Sequence, residues 1–301
     1  MKKLSLIIAT YNRAESLLRT MQSVVLQSAP SESWECVVVN NNSTDNTEEL
    51  FASFVADYPA LNLKMVNELK QGLSNARNCG IAASTGEYIV IIDDDETVDE
   101  DFIENYITFF DSFPSALAAG GAVKACYEQG RPRWMSHYTE QMIANPLDLD
   151  VVVTLFPKHR VPAGGNMAFR REAFDRVGVF NPRLGRNGKS LIGGEENDLF
   201  ARLRREGVEL FFVPGVAIYH HIAPSKLTDD YFGRLSFNVG RSKRLRAEAD
   251  DCVAELLRDE RNKRLATYIL AGLYTLLFQP LKAKYLLRMR RGISAGINKL
   301  R

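Results

Sequence analysis

The first hundred residues alternate between apolar runs of strand length and segments whose apolar residues recur at helical spacing. The apolar runs lie at residues 4–10 (LSLIIAT), 34–40 (WECVVVN), 61–67 (LNLKMVN) and 87–92 (EYIVII). The segments between them, at 14–28, 43–58 and 72–85, are predicted helices. Several runs are apolar along their whole length, which is typical of strands that are buried on both faces. The pattern therefore predicts an α/β domain with a largely parallel sheet.

After residue 100 the alternation weakens, although strand and helix signals continue. One strand is predicted within 117–126 (LAAGGAVKAC), and a loop, a strand and a helix within 160–178. Residues 193–207 (GGEENDLFARLRREG) read as a loop entering a helix, and 208–221 as strand material that ends in two histidines. The C-terminal segment, residues 251–301, is predicted to be helical and differs in composition from the rest.

Composition excludes some classes of protein. The net charge is +1 at pH 7, which argues against nucleic acid as a partner. The four cysteines, at positions 36, 79, 126 and 252, lie far apart without a CxxC pair, which favours reduced thiols over a disulfide framework or a zinc site. The apolar part of the N-terminus is too short for a signal peptide and is predicted to be the first strand. We therefore expect a cytoplasmic protein.

Three consecutive aspartates, Asp93 to Asp95, follow the apolar run that ends at Ile92. Side chains alternate along a strand, so Asp93 and Asp95 are expected on one side and Asp94 on the other. Ligands of open α/β sheets bind beyond the carboxyl ends of the strands, and Mg²⁺ or Mn²⁺ would compensate the like charges there. The alternative is a solvated acidic turn, which the buried strand directly before it makes the weaker interpretation.

The loops after the first two predicted strands are polar. The first reads TYNR (Thr10 to Arg13), where a dinucleotide-binding fold would carry GxGxxG, so a dehydrogenase is disfavoured. The second reads NNNSTDNT (Asn40 to Thr47). Its side chains suit hydrogen bonds to a base or a ribose, but the same residues are common in turns and helix caps.

Two further groups carry possible chemistry. Glu195, Glu196 and Asp198 lie at the start of a predicted helix, where acids commonly interact with the helix dipole but could also supply a general base. His220 and His221 end an apolar strand. Such histidines are more often structural than ligands, and the expected metal is what makes them candidates.

These motifs, in this order, resemble an inverting family-2 glycosyltransferase of the GT-A fold. The resemblance covers roughly residues 4–245 and rests on six stretches: SLIIATYNRAESLLRTMQSVVLQS, VVVNNNSTDNT, GLSNARNCGIAASTGEYIVIIDDDE, GGNMAFRREAF, GGEENDLFARL and VAIYHHIAPSKLT. It implies a glycosyltransferase domain at 1–250, with a nucleotide-sugar-binding half at 1–100 and an acceptor-side half at 101–250. The helical segment 251–301 would follow it.

The resemblance also implies an activity and a set of functional residues. The activity is transfer of a sugar, with inversion, from a nucleotide-diphosphate sugar, UDP-linked by expectation, to a glycan or lipid-linked glycan in cell-surface polysaccharide or glycoconjugate synthesis. For the nucleotide, the resemblance implies Thr10, Tyr11 and Arg13 in the first loop, Asn40 at the nucleobase, Arg77 near the nucleotide, Asp93 near the ribose or phosphates, and Asp94 with the donor. For the metal, it implies Asp95 as a ligand of Mg²⁺ or Mn²⁺ and His220 in the metal or phosphate shell, with His221 as its substitute. Glu196 is the implied general base.

Two positions depart from the family pattern. Glu196 stands where Asp is common, which keeps the chemistry of a base but lengthens its reach. Asn40 stands where relatives usually carry an Asp that reads the uracil ring. An amide can still hydrogen-bond an imide edge, but it also offers donors. This departure leaves the choice of nucleotide open.

Two other classes of protein fit part of the pattern. A noncatalytic nucleotide-sugar-binding protein could retain the same fold, and mutation of Glu196 would separate it from an enzyme. A nucleotidyltransferase also uses acidic metal sites on an α/β sheet. It would need a glycine-rich phosphate loop with basic residues after the first strand, where this chain supplies only Arg13.

Residues 265–281 (LATYILAGLYTLLFQPL) carry no charge and would be apolar on every side of a helix. One interpretation is a helix packed on the protein or on a partner subunit. As a single helix the run would extend only ~25 Å, short of the ~30 Å hydrocarbon core, and Pro280 would break its end. The basic residues that follow are Lys282, Lys284, Arg288, Arg290, Arg291, Lys299 and Arg301. We expect residues 265–301 to attach peripherally to the inner face of the cell membrane.

Overall fold

The computed structural model describes residues 2–188 and 190–299. The strands are β1 Leu4–Thr10, β2 Trp34–Asn40, β3 Leu63–Asn67, β4 Tyr88–Asp93, β5 Glu96–Val98, β6 Ala118–Gly120, β7 Val123–Tyr127, β8 Thr154–Leu155, β9 Met167–Arg170, β10 Leu210–Phe212 and β11 Ile218–Ile222. The helices are α1 Ala14–Val24, α2 Thr47–Ala56, α3 Leu73–Ala83, α4 Phe102–Ser112, α5 His137–Ile143, α6 Glu172–Val177, α7 Glu195–Arg205, α8 Asp229–Ala249, α9 Val253–Leu276 and α10 Pro280–Asn298, with a short 3₁₀ turn at Pro224–Leu227.

The chain divides into two compact units that interleave along the sequence. The first comprises Met1–Lys124, Leu147–Arg183 and Glu195–His221, and the second comprises Ala125–Pro146, Leu184–Gly194 and Ile222–Arg301. This division differs from the predicted boundary after residue 250. Two internal segments and residues 222–250 group with the C-terminal helices, because they share a core with them.

The first unit contains an eight-stranded sheet in the order β3-β2-β1-β4-β9-β6-β10-β8. Strands β3, β2, β1 and β4 are parallel to one another, and β9 pairs antiparallel with β4. Every residue of β1 and β2 is buried, as the apolar runs predict. The register pairs Thr10 with Asn40 and Ala9 with Asp93, so the carboxyl ends of these strands share one edge. The predicted α/β fold with a largely parallel sheet and C-terminal helices is confirmed.

The strand predicted within 117–126 is two strands. β6 belongs to the large sheet, whereas β7 belongs to a three-stranded sheet in the order β5-β11-β7. The chain changes sheets at Gly121, which lies against the backbone of Val216: a Cβ at this position would be 1.8 Å from the Val216 carbonyl oxygen. Only glycine permits so close an approach. The apolar run at 208–221 likewise splits into β10 and β11.

The core of the second unit lies mainly between α8 and α10. Phe232 and Leu235 of α8 pack with Leu286, Met289 and Ile293 of α10. Glycines bring the two helix backbones together: a Cβ on Gly240 would lie 2.1 Å from the carbonyl oxygen of Ile293. No side chain larger than that of glycine therefore fits at position 240 without moving α8 and α10 apart.

The uncharged run 265–281 is helical up to Leu276 and is broken before Pro280, as the sequence predicts. Helix α9 ends at Leu276, Phe278 takes a left-handed conformation with φ of 56°, and Pro280 opens α10. Proline cannot continue a helix but fits its first turn, which is why the break falls there. Helices α9 and α10 thus form a hairpin. Among the described residues, no helix has the length and apolar character needed to cross a membrane.

The turn of this hairpin exposes apolar side chains. We call residues 273–281 the hairpin tip; its exposed large apolar side chains are those of Leu273, Leu276, Leu277, Phe278 and Leu281. Phe278 is 93% exposed. The basic residues expected after the run lie on α10 or just beyond it, except Arg301, which is outside the described residues.

Gly240→Ala should lower the free energy of unfolding by about 1–3 kcal/mol, the usual cost of overpacking a closed contact. The control is Gly272→Ala in α9, where an added Cβ meets no atom within 4 Å. There the substitution should stabilise by about 0.5–1 kcal/mol, because alanine is the better helix former. Urea unfolding followed by circular dichroism measures both. Equal effects of the two substitutions would contradict the packing described for α8 and α10.

Candidate active site

The site lies at the edge of the sheet where β1, β2 and β4 end, and all the residues described below belong to the first unit. Thr10 and Asn40 are the last residues of their strands, and Asp93 is the last residue of β4. The loops that follow carry Tyr11 to Arg13, Asn41 to Asn46, and Asp94 with Asp95. Parallel strands that end together bring these polar loops to one place, as the sequence predicts.

Asp94 is buried and anchors the acidic turn. Its carboxylate accepts hydrogen bonds from Thr10 Oγ1 at 2.7 Å and Arg13 Nη1 at 2.9 Å, and its carbonyl oxygen accepts one from Thr20 at 3.0 Å. Burial and the charges of Asp95 and Asp93 raise the pKa of Asp94 to about 6, against the lowering effect of Arg13 and Thr10. In this structure Thr10 therefore positions Asp94, because its hydroxyl faces inward.

Asp95 lies between Arg13 and His220. Arg13 Nη1 donates to Asp95 Oδ2 at 2.9 Å, and His220 Nε2 is 3.7 Å from Asp95 Oδ1. The ring of His221 points elsewhere, with Nε2 2.9 Å from Thr97 Oγ1, while its backbone N–H donates to the Asp95 carbonyl. Of the two histidines that the sequence left open, His220 is the one beside the acidic cluster.

Asp93, Asp95 and Glu96 form a group that could hold a metal ion, with ligand oxygens within 4.8 Å of one another. Glu96 is buried and accepts a hydrogen bond from the Asp93 N–H at 2.8 Å. A Cβ on Gly165 would lie 1.9 Å from Glu96 Oε1, so this glycine makes room for the carboxylate. Such an oxygen set suits Mg²⁺ or Mn²⁺. Sequence reasoning missed Glu96, although it is the fourth acid of the run DDDE.

Arg77, from α3, joins the acidic strand end to the start of α7. It is 1% exposed, and it donates to Asp93 Oδ1, Glu195 Oε1 and the Gly164 carbonyl, each at 2.9 Å. Burial works to lower the pKa of Arg77, but Asp93 and Glu195 outweigh it and raise the pKa. Arg77 is thus a positioning residue for two acids that are far apart in sequence.

The three acids at the start of α7 have different surroundings. Glu195 is buried against Arg77, and burial together with the charge of Glu196 raises its pKa to about 7 despite that arginine. Asp198 is paired with Arg202 at 2.9 Å. Glu196 is half-buried and accepts a hydrogen bond from the Asn197 side chain. Within residues 2–188 and 190–299, Glu196 is the one of the three without a salt bridge.

The second loop is shaped by its own asparagines. Asn40 is buried, and its Oδ1 accepts a hydrogen bond from the Ser43 N–H at 3.0 Å. Asn41 donates to the carbonyl oxygens of Glu68 and Lys70 and so ties the loop to the segment after β3. Tyr11, at the end of β1, exposes more than a third of its surface. Asn40 and Tyr11 are therefore both at the sheet edge that carries the acids.

The charges of the site do not balance. Two arginines, Arg13 and Arg77, pair with four carboxylates, those of Asp93, Asp94, Asp95 and Glu195, and two more acids, Glu96 and Glu196, lie beside this group. Uncompensated buried charge is costly, and the raised pKa values of Asp94 and Glu195 report that cost. A divalent cation among these oxygens would relieve it.

Comparison with protein families gives two matches. The family described as Glycosyl transferase family 2 matches residues 5–178, which is more than half of the chain. The N-terminal domain of galactosyltransferase matches residues 158–224. The two matches together cover the sheet edge and the start of α7.

Two curated relatives align along most of the chain. A glucosyl-dolichyl phosphate glucuronosyltransferase of Haloferax volcanii is 26% identical over 255 residues, which cover 81% of this chain and 77% of that protein. The succinoglycan biosynthesis protein ExoM of Rhizobium meliloti is 25% identical over 245 residues, with 80% and 74% covered.

Among solved structures, the fold is similar to that of a mannosyltransferase from Pyrobaculum calidifontis in complex with GDP-Man and Mn²⁺. The TM-score is 0.62 at 21% identity, and the match covers 97% of this chain and 87% of the other. This likeness confirms the predicted GT-A fold. Because the family match extends over more than half of the sequence, the chain belongs to glycosyl transferase family 2.

Proposed function

We propose that this chain transfers a sugar from a nucleotide-diphosphate sugar to a hydroxyl group of a glycan or lipid-linked glycan, with inversion at the anomeric carbon. The observation that carries the proposal is the Arg77 bridge, which joins Asp93 in the acidic cluster to Glu195, the neighbour of Glu196. The bridge supports the proposal because it holds the acids that we assign to the donor close to the start of α7, which carries the candidate base Glu196. The relatives' names, one a glucuronosyltransferase and one a succinoglycan biosynthesis protein, support synthesis of polysaccharides or glycoconjugates.

On the donor side, Asp93, Asp95 and Glu96 would hold Mg²⁺ or Mn²⁺, with His220 next to Asp95 as a further ligand. When bound, the cation supplies compensation for the negative charge that develops on the leaving nucleotide diphosphate. The Mn²⁺ and GDP-Man in the similar mannosyltransferase structure support such a pairing. Arg13, whose side chain is 38% exposed, would contact the phosphates.

At the nucleotide, we assign Tyr11, Asn40 and Asp94 to the donor site. Because Asn40 Oδ1 already accepts the Ser43 N–H, the side chain offers a base mainly its amide donor. A donor pairs with a carbonyl oxygen of uracil, and we propose UDP as the nucleotide. The same donor would serve a carbonyl oxygen of guanine, so GDP is the competing nucleotide in any binding test.

On the acceptor side, Glu196 would remove the proton from the attacking hydroxyl. Glu195 and Asp198 are committed to Arg77 and Arg202, which leaves Glu196 as the carboxylate available to a substrate. A single base opposite the leaving group implies one in-line displacement, in which the acceptor oxygen bonds to the anomeric carbon as the bond to the diphosphate oxygen breaks. One displacement inverts the anomeric configuration.

We also propose that the hairpin tip attaches the chain to the inner face of the cell membrane. The tip exposes a contiguous stretch of apolar side chains around Phe278, and no acidic residue follows Glu260 in the sequence. Apolar side chains can enter the headgroup boundary, and each nearby Lys or Arg adds ~1 kcal/mol of attraction to anionic lipid. This contact suits a lipid-linked acceptor.

Asp95→Asn should abolish transfer and weaken Mn²⁺ binding in the presence of nucleotide, since it replaces a charged carboxylate ligand by a neutral amide. Asp57→Asn, at an exposed position after α2, is the matched control and should behave like the wild type. Calorimetry with Mn²⁺ and UDP or GDP, together with release of nucleotide from the donor, measures both effects. Full turnover of the wild type in excess chelator would sink the metal proposal.

Glu196→Gln should retain donor binding while turnover falls by about 10²–10⁴-fold, the usual contribution of a positioned general base. Asp198→Asn is the control, because Asp198 pairs within its own helix. NMR of the product should show inversion. Loss of turnover in Asp198→Asn but not in Glu196→Gln would identify Asp198 as the general base instead of Glu196. Donor binding without turnover by the wild type, across a panel of acceptors, would favour a noncatalytic binding protein.

Phe278→Asp should reduce flotation of the full chain with anionic liposomes, because a carboxylate at the tip opposes both insertion and charge attraction. Val151→Asp is the control, since Val151 is 89% exposed and belongs to the first unit. Equal flotation of the two variants would discard the tip as the membrane contact.

A further inference from the structure

Helices α9 and α10 line a partly open cavity of about 250 Å³ in the second unit. Six of its nine lining residues are polar or basic: Arg264, Thr267, Arg290, Arg291, Ser294 and Asn298. Three arginines and the amide of Asn298 offer the N–H donors that recognise a phosphate group, whereas the hydroxyls of Thr267 and Ser294 already donate to the Lys263 carbonyl and Glu260. The cavity is not part of the site on the first unit.

One arginine of the cavity is held in place. Arg290 donates to Glu260 Oε2 at 2.9 Å and to Thr267 Oγ1 at 3.2 Å, and Ser294 donates to Glu260 Oε1 at 2.6 Å. Glu260 and Arg290 are both largely buried. The guanidinium is therefore ordered before any ligand arrives, which reduces the entropy lost on binding.

The other two arginines are uncompensated. Arg264 and Arg291 are exposed at the cavity and form no salt bridge within the described part of the chain. Glu260 is the last acid in the sequence, and Arg290 already occupies it. Two exposed guanidinium groups without a salt bridge, together with that of Arg290 beside Glu260, give the cavity an excess of positive charge.

A neighbouring lysine reports the same excess. Lys243 of α8 is mostly buried, and burial together with the charges of Lys263 and Arg290 lowers its pKa to about 8, against the opposing effect of Glu260. An ammonium group that is destabilised by surrounding cations lies in a region of positive potential. An anion in the cavity would relieve this repulsion.

We propose that this cavity binds a phosphate group carried by a membrane lipid. The inference rests on the membrane contact proposed above. At 1.5 Å per residue the cavity lies roughly 15 Å along the hairpin from its tip, so an inclined hairpin with its tip in the headgroup boundary brings the arginines to the level of lipid phosphates. Basic pockets between helices at the membrane surface recognise phosphorylated headgroups in this way.

The test compares two double variants of the full chain that lose the same charge. R264Q/R291Q removes the free arginines of the cavity, and R261Q/K284Q removes two exposed cations of the same hairpin outside it. Binding is measured to phosphatidylcholine vesicles that contain either phosphatidic acid or oleate, an anionic lipid without phosphate. Nucleotide release from the donor without vesicles should stay at the wild-type level in both variants.

On phosphatidic acid, R264Q/R291Q should bind about tenfold more weakly than R261Q/K284Q, since charge-assisted hydrogen bonds are lost beyond diffuse attraction. On oleate the two variants should be equal. R264K/R291K keeps both charges and should match the wild type on oleate but not on phosphatidic acid. This variant guards against a folding defect, which the thermal unfolding midpoint of each protein also checks.

The proposal would be overturned if the two double variants bound phosphatidic acid vesicles equally weakly. It would also be overturned if R264Q/R291Q bound oleate vesicles more weakly than R261Q/K284Q by the same factor as on phosphatidic acid. Inorganic phosphate that binds through Arg264 and Arg291, with no difference between the variants on vesicles, would assign the cavity to free phosphate instead. Failure of the membrane contact itself is separate, because flotation of Phe278→Asp would then equal that of its control.

Discussion

The buried guanidinium of Arg77 is the constraint on which the site depends. It joins Asp93 at the end of β4 to Glu195 at the start of α7, two residues that are about a hundred positions apart in sequence. Removing one partner of a buried pair leaves an uncompensated charge, at a typical cost of about 3–5 kcal/mol. The bridge therefore fixes the acidic strand end relative to the helix that carries Glu196, and it does so without occupying Glu196 itself.

Even with this bridge, the acidic cluster is electrostatically destabilised. Asp94 and Glu195 have raised pKa values because burial and like charges outweigh the two arginines. A fold selected only for stability would replace such residues with apolar ones. Here two glycines accommodate the charged residues instead. The carbonyl of Gly164 accepts a hydrogen bond from Arg77, and the missing side chain of Gly165 leaves room for the carboxylate of Glu96. The backbone is thus shaped to hold this excess of carboxylates, which is the property that a divalent cation and a diphosphate require.

Local pattern was enough to predict the sheet edge, because β1, β2 and β4 are continuous apolar runs and the acids follow the last of them directly. Contacts between segments that are far apart in sequence could not be predicted from such local patterns. The bridge from Arg77 to Glu195 depends on how α3 and α7 are placed, and the split of the apolar run around Gly121 depends on the Val216 backbone. The break at Pro280 was predictable from the sequence, whereas the left-handed conformation of Phe278, which turns the chain into a hairpin, was not.

Phe278 shows why the hairpin tip is not explained by folding. A left-handed backbone costs a bulky residue roughly 1–2 kcal/mol, and a side chain that is 93% exposed returns no burial in exchange. On α9, the buried residues Glu260, Thr267 and Ala271 face the neighbouring helices, while the apolar residues Leu265, Ile269, Leu273 and Leu276 remain exposed. The hairpin thus combines an apolar tip with a stem that carries more basic than acidic residues, some of the basic ones paired. The exposed apolar tip and the excess of basic residues beside it are the two features that the proposed membrane contact needs, and the second unit's own core lies elsewhere, between α8 and α10.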